Sequence, residues 1–137
     1  MTRRETRTFE ARLADASALS AFVQAAVTDP ELSFKSRLAA EELFVNTVSH
    51  GHGGDSEGRV EVTLAIEPDA VVLTYVDAAP PYNPFETVAD PDLEAPVEER
   101  MVGGLGIFMI TKLARHYDYA RVGAHNRITL ELRRSGR

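Results

Sequence analysis

The stretch Arg59-Val-Glu-Val-Thr-Leu-Ala-Ile66, Glu67-Pro-Asp-Ala70, Val71-Val-Leu-Thr-Tyr-Val-Asp77 decides the architecture of this chain. Residues 59 to 66 alternate polar and apolar side chains, as a strand with one buried face does, and residues 71 to 77 form a nearly continuous apolar run. The Pro-Asp turn between them is too short to carry a crossover to a parallel neighbour, so the pair reads as an antiparallel hairpin.

Working outward from the hairpin, the same reasoning places the other elements. Thr6 to Leu13 alternates like an edge strand, and Asp15 is positioned to cap a helix over Ala16 to Thr28, with Leu19, Phe22, Val23, Ala26 and Val27 at helical spacing before Pro30 ends it. A second helix fits Ser33 to His50, with Leu38, Phe44, Val45 and Val48 toward the core, and the glycine-rich loop Gly51 to Gly58 stops it. Beyond the hairpin, residues 78 to 101 hold five of the seven prolines and should be irregular. A third helix over Leu105 to His116 follows. Two strands, Tyr117 to Val122 and Arg127 to Arg133, then flank a turn at Gly123-Ala-His-Asn126. This order predicts an α/β (α+β) two-layer sandwich, a mixed and mainly antiparallel sheet with helices on one face. A doubly wound fold fits poorly, because its parallel strands cannot be joined by such turns.

The chain has 137 residues, 44% hydrophobic and 26% charged, enough for one core, so residues 1–137 read as a single domain. The absence of cysteine excludes disulfide scaffolds, thiolate metal sites and cysteine nucleophiles. No apolar run is long enough for a membrane helix and the start lacks a signal peptide's apolar stretch, so the expected place is the cytoplasm, away from any membrane. Net charge is -6, which argues against direct nucleic-acid binding through phosphate neutralisation. The signs are segregated, with two basic and fourteen acidic groups in residues 38 to 100 against seven basic and two acidic in residues 101 to 137. Such a division usually marks solvated faces, and it can also steer a charged partner.

Three features carry chemistry. Glu42, Asn46 and His50 are spaced by four on the second helix and stack along one face. Alone they read as a solvated stripe, yet a carboxylate and an amide oxygen one turn apart suit proton acceptance and Mg2+. Asp77 ends a buried strand and must find a donor, either a backbone NH in the following turn or the amino group of a bound base. The cluster Gly103-Gly104-Leu105-Gly106 runs into an apolar helix, so its backbone NH groups and the helix dipole favour an anion such as phosphate. His50-Gly-His52 lacks a third ligand for a metal site.

Together and in this order, the three features resemble the N, G1 and G2 boxes of the GHKL superfamily, the Bergerat ATP-binding fold of histidine kinases and of the small anti-sigma-factor serine kinases. The pattern E-x-x-x-N-x-x-x-H-G matches Glu42 to Gly51, D-x-G-P-P-F-D-P matches Asp77 to Pro84, and E-R-x-x-G-G-L-G-I matches Glu99 to Ile107. The likeness spans residues 35 to 133, continuing through Tyr119 to Asn126-Arg-Ile-Thr-Leu130.

The resemblance implies Glu42 as general base, Asn46 as ligand of Mg2+, and Asp77 as acceptor for the adenine amino group. Gly103, Gly104, Leu105 and Gly106 would open the phosphate-binding helix, with Arg100 reaching a phosphate from a lid over residues 85–102, and His50 and Ala79 lying among the nucleotide-contacting positions. ATP and Mg2+ are the implied cofactors, and a sigma factor, an antagonist protein and a second copy of the chain the implied partners. The sequence departs from the pattern at Ala79, where the family has glycine: if that position needs positive φ or close contact with adenine, the methyl weakens binding by about 1 kcal/mol or more. Three functions follow. The first is an ATP-dependent serine/threonine kinase that phosphorylates the antagonist and sequesters the sigma factor. The second is a non-catalytic partner-switching module with weak or no ATP binding. The third is a Mg-ATPase without protein substrate.

Overall fold

A computed structural model describes residues 2–136 except 52, 55, 57 and 87–104. The elements are β1 (Arg3–Glu10), α1 (Ala16–Ala26), α2 (Pro30–Asn46), β2 (Arg59–Ile66), β3 (Ala70–Asp77), α3 (Leu105–Leu113), β4 (Ala114–Val122) and β5 (His125–Arg133). The strands form one sheet in the order β1-β2-β3-β5-β4. All four described pairings are antiparallel, so the expected mixture of directions is replaced by a uniformly antiparallel sheet.

Alternation sets the two faces of that sheet. Val60, Val62 and Leu64 of β2, Val71, Leu73 and Tyr75 of β3, and Ile128, Leu130 and Leu132 of β5 point into the core, where Leu19 and Val23 of α1, Leu43 and Phe44 of α2 and Ile110 of α3 cover them. β3 is the middle strand, and its residues on the face away from the helices, Val72, Thr74 and Val76, are half-buried. On the opposite face Thr6, Thr63, Thr74 and Thr129 stand in register across four strands, and the hydroxyls of Thr6 and Thr63 lie 3.0 Å apart.

The helix boundaries differ from expectation for local reasons. Pro30 starts α2 instead of ending α1: Asp29 is the N-cap, its carboxylate accepting from the Leu32 NH at 2.9 Å, and proline's missing NH costs nothing at the first helical position. Asp15 precedes α1 as expected, but its side chain makes no cap bond and accepts instead from the Glu10 NH at 3.1 Å. Along α2 the core stripe is Leu32, Ser36, Ala39, Ala40, Leu43 and Phe44. Val48 is buried as expected, Leu38 is half-buried, and Val45 is 42% exposed. The last correction is α3, which stops at Leu113 because β4 begins pairing with β5 at Ala114, through a bulge before His116.

After Asn46 the helix widens into a π-helical turn over Thr47–Gly51. Single π turns recur at functional sites because they re-aim side chains relative to a regular helix. Gly123, at φ 59°, occupies the β4–β5 hairpin turn, where a left-handed residue matches the strand twist.

Candidate functional site

The end of α2, the end of β3 and the start of β5 converge on a small cavity. Leu43, Asn46, Thr47 and Gly51 line it from the helix, Tyr75, Asp77, Ala79, Tyr82 and Pro84 from β3 and the loop beyond it, and Asn126 and Ile128 from β5. Three of the residues singled out from the sequence, Asn46, Asp77 and Ala79, thus share one concavity. Its volume of about 20 Å³ is room for one water molecule.

Asp77 forms the floor and is 7% exposed. Its Oδ1 accepts from the Asn126 side-chain amide at 2.8 Å and from the Ala79 NH at 3.2 Å, and its Oδ2 accepts from the Thr47 hydroxyl at 2.9 Å. The turn NH foreseen as an alternative to a base is therefore present, and two side chains join it. Behind Thr47, the Tyr75 hydroxyl lies 2.6 Å from the Thr47 oxygen and 3.2 Å from the Leu43 carbonyl. Burial drives the Tyr75 phenol well above its ordinary pKa, so it remains a protonated donor.

Asn126 ties the loop after β3 to β5. Its amide nitrogen faces Asp77 Oδ1 and the carbonyls of Ala79 and Pro80, while its oxygen accepts from the Tyr119 hydroxyl at 2.6 Å, the Tyr82 NH at 3.2 Å and Arg121 at 3.2 Å. Arg121 also donates to the Ala79 carbonyl at 2.8 Å. Asparagine suits this place because one amide donates on one side and accepts on the other.

Ala79 does not bear the strain expected of it. Among the described residues only glycines have positive φ, and the Ala79 methyl, 1% exposed, packs toward Gly51. A Cβ added at Gly51 would lie 2.9 Å from it, so the missing side chain at Gly51 makes room for the methyl at Ala79. The methyl is thus accommodated within the protein itself.

A second close approach joins the other catalytic candidates. A Cβ built on Gly106 would overlap Oε2 and Cδ of Glu42, so the carboxylate rests directly against the first turn of α3. Only glycine permits that contact. Among the described residues Glu42 has no hydrogen-bond or ion-pair partner, which leaves a half-buried carboxylate available as a proton acceptor.

His50 is exposed and stacks on Tyr82 at the cavity rim, with ring centroids 6.2 Å apart. Phe85, where the lid expected from the sequence begins, packs on Tyr117 of β4, with ring centroids 4.7 Å apart. Arg100, Gly103 and Gly104, most of the lid and His52 lie outside the described residues, and of Leu105 only its helical backbone is described. No group of three or more His, Asp or Glu that could hold a metal occurs among the described residues.

Thr47, Tyr75, Tyr82 and Asn126 were not assigned roles from the sequence. Tyr75 carried the clearest signal, a hydroxyl-bearing ring in a strand otherwise built for burial.

No helix among the described residues is long and apolar enough to cross a membrane. No curated protein matches the chain. The family profile described as the histidine kinase-like ATPase domain matches residues 9–132. That span reaches from the end of β1 to the end of β5 and takes in Glu42, Asn46, Asp77 and Gly106, so the chain belongs to the histidine kinase-like ATPase domain family.

Proposed function

We propose that the chain is an ATP-dependent serine/threonine kinase of the anti-sigma type, acting in the cytoplasm as a homodimer on a small antagonist protein and sequestering a sigma factor. The observation that carries this reading is the contact of Glu42 with Gly106, beside the cavity that gathers Asn46 and Asp77. It sets a proton acceptor at the N-terminus of an apolar helix, where phosphates are favoured.

Asp77 would accept the adenine amino group through the lone pair that Thr47 leaves on Oδ2. Asn46 would hold Mg2+, which when bound neutralises phosphate charge. Glu42 takes the proton of the attacking serine hydroxyl; the serine oxygen bonds to the γ-phosphorus as its bond to the β–γ bridging oxygen breaks, and ADP leaves.

The narrow cavity also favours a second reading, a partner-switching module that binds its regulator without nucleotide. Calorimetry with Mg-ATP separates the two, since the kinase reading requires saturable binding. Glu42→Ala should then abolish phosphate transfer to the antagonist while leaving ATP binding within about twofold. Transfer that survives Glu42→Ala removes the assigned base.

A further inference from the structure

The polar groups behind Asp77 make a chain that nucleotide binding as such does not require. Tyr75 (1% exposed), Thr47 (5%) and Asp77 (7%) are buried together, with hydroxyl to hydroxyl at 2.6 Å and hydroxyl to carboxylate at 2.9 Å. The residues come from the middle of β3, the π turn after α2 and the end of β3, so the contact depends on the packing of helix on sheet.

The donors can be ordered. Thr47 has one proton and two acceptors in reach, the Leu43 carbonyl at 3.1 Å and Asp77 Oδ2 at 2.9 Å. An ionised carboxylate is the stronger acceptor, so the proton goes to Asp77. The Thr47 oxygen is then free to accept from Tyr75, at the shorter of that phenol's two distances. Oδ1 meanwhile has two donors, the Asn126 amide and the Ala79 NH. A carboxylate oxygen accommodates about two donors, which leaves one open acceptor direction, on Oδ2.

We infer that Thr47 and Tyr75 are positioning residues for base selection: the Tyr75–Thr47 relay holds Asp77 so that its one open lone pair meets a 6-amino purine and opposes a 6-oxo purine. The inference rests on the nucleotide reading above. Without the Thr47 hydroxyl, Oδ2 loses its fixed donor and the carboxylate is held only from the Oδ1 side. The bond to a 6-amino group weakens, while a 6-oxo purine, which never made that bond, loses nothing.

The test is the ratio of ATP to ITP affinity, measured by calorimetry on the full chain with Mg2+. Thr47→Val should lower that ratio about tenfold, as expected for a misplaced bond to a charged acceptor. Tyr75→Phe should lower it about threefold, since Thr47 keeps its own proton for Asp77, and Thr47→Ser should restore it to within about twofold. A merely structural role would weaken ATP and ITP alike and leave the ratio unchanged, and that result overturns the relay. If Thr47→Val does not fold, an unchanged ratio in Tyr75→Phe overturns it equally. An unaltered protein that binds ATP no more tightly than ITP, or not at all, instead overturns the reading of Asp77 as a base acceptor, and the relay falls with it.

Discussion

The two ends of α2 are built on different principles. The first turns are conventional: Asp29 caps, Pro30 opens, and Glu31 and Lys35 pair at 2.8 Å one turn apart. They are also tied to the end of β5, by Lys35 donating to the Arg133 carbonyl at 2.8 Å and by Glu31 accepting from the NH and hydroxyl of Ser135. The last turns instead widen into a π-helical turn, and their polar side chains Glu42, Asn46 and Thr47 face a glycine, a cavity and a buried carboxylate. One end obeys local rules and holds the helix to the sheet. The other departs from them to aim side chains, as functional segments of a stable scaffold do.

If that contrast is right, substitutions at the far end should cost function with little stability, and substitutions at the near end the reverse. The largest effect is expected at Gly106→Ala. Helix propensity alone predicts a gain of about 0.8 kcal/mol, but the new methyl displaces the Glu42 carboxylate, and a misplaced base costs about 10²-fold in transfer rate. A phosphate-transfer assay beside a thermal melt checks this; full activity would dissolve the link between Glu42 and α3.

Next is Asp77→Asn. An amide there sets its own NH2 against the donors of Thr47 or Asn126, and ATP affinity should fall about tenfold or more, read by calorimetry. Asp29→Ala probes the conventional end. Losing the cap should lower stability by about 1 kcal/mol, a drop of about 4 °C in melting temperature, with ATP affinity unchanged.

The smallest effect concerns acid. The Lys35 ammonium, followed by the hydroxyl and NH of Ser135, holds the Glu31 carboxyl down at about 2, from an ordinary 4.5. A carboxyl depressed by folding contributes fully above its unfolded value and loses that contribution as pH falls through the folded one, so the tie weakens between about pH 4.5 and 2. Glu31→Gln should flatten this part of a stability-against-pH curve, measured by chemical denaturation, with a small loss of stability above pH 6 that vanishes as the pH approaches 2.

How much of this was legible depended on whether the deciding interaction is local. The β2–β3 hairpin was readable because alternation and a Pro-Asp turn act within a few residues. Pro30 was misread as a terminator because the same residue that breaks a helix interior also opens a helix when a capping Asp precedes it. Val45 was placed in the core from spacing alone, whereas α2 turns Phe44 and Leu43 toward the sheet and leaves Val45 outward. At the site, Glu42, Asn46 and Asp77 stood out through their spacing and company. The residues that hold Asp77 did not, since Thr47, Tyr75 and Asn126 meet only after α2 packs on β3 and β5 pairs beside it.

The sequence by itself determined the class of fold, the family and the residue types able to accept a proton and read a base, because periodicity, turn chemistry and motif order are properties of neighbours along the chain. Tertiary structure alone decided that the sheet is antiparallel throughout, that the Ala79 methyl fits against Gly51, and that Thr47 and Asn126 donate to Asp77. Those outcomes follow from close packing and from the need of each buried polar atom for a partner, and both bring together residues distant in sequence.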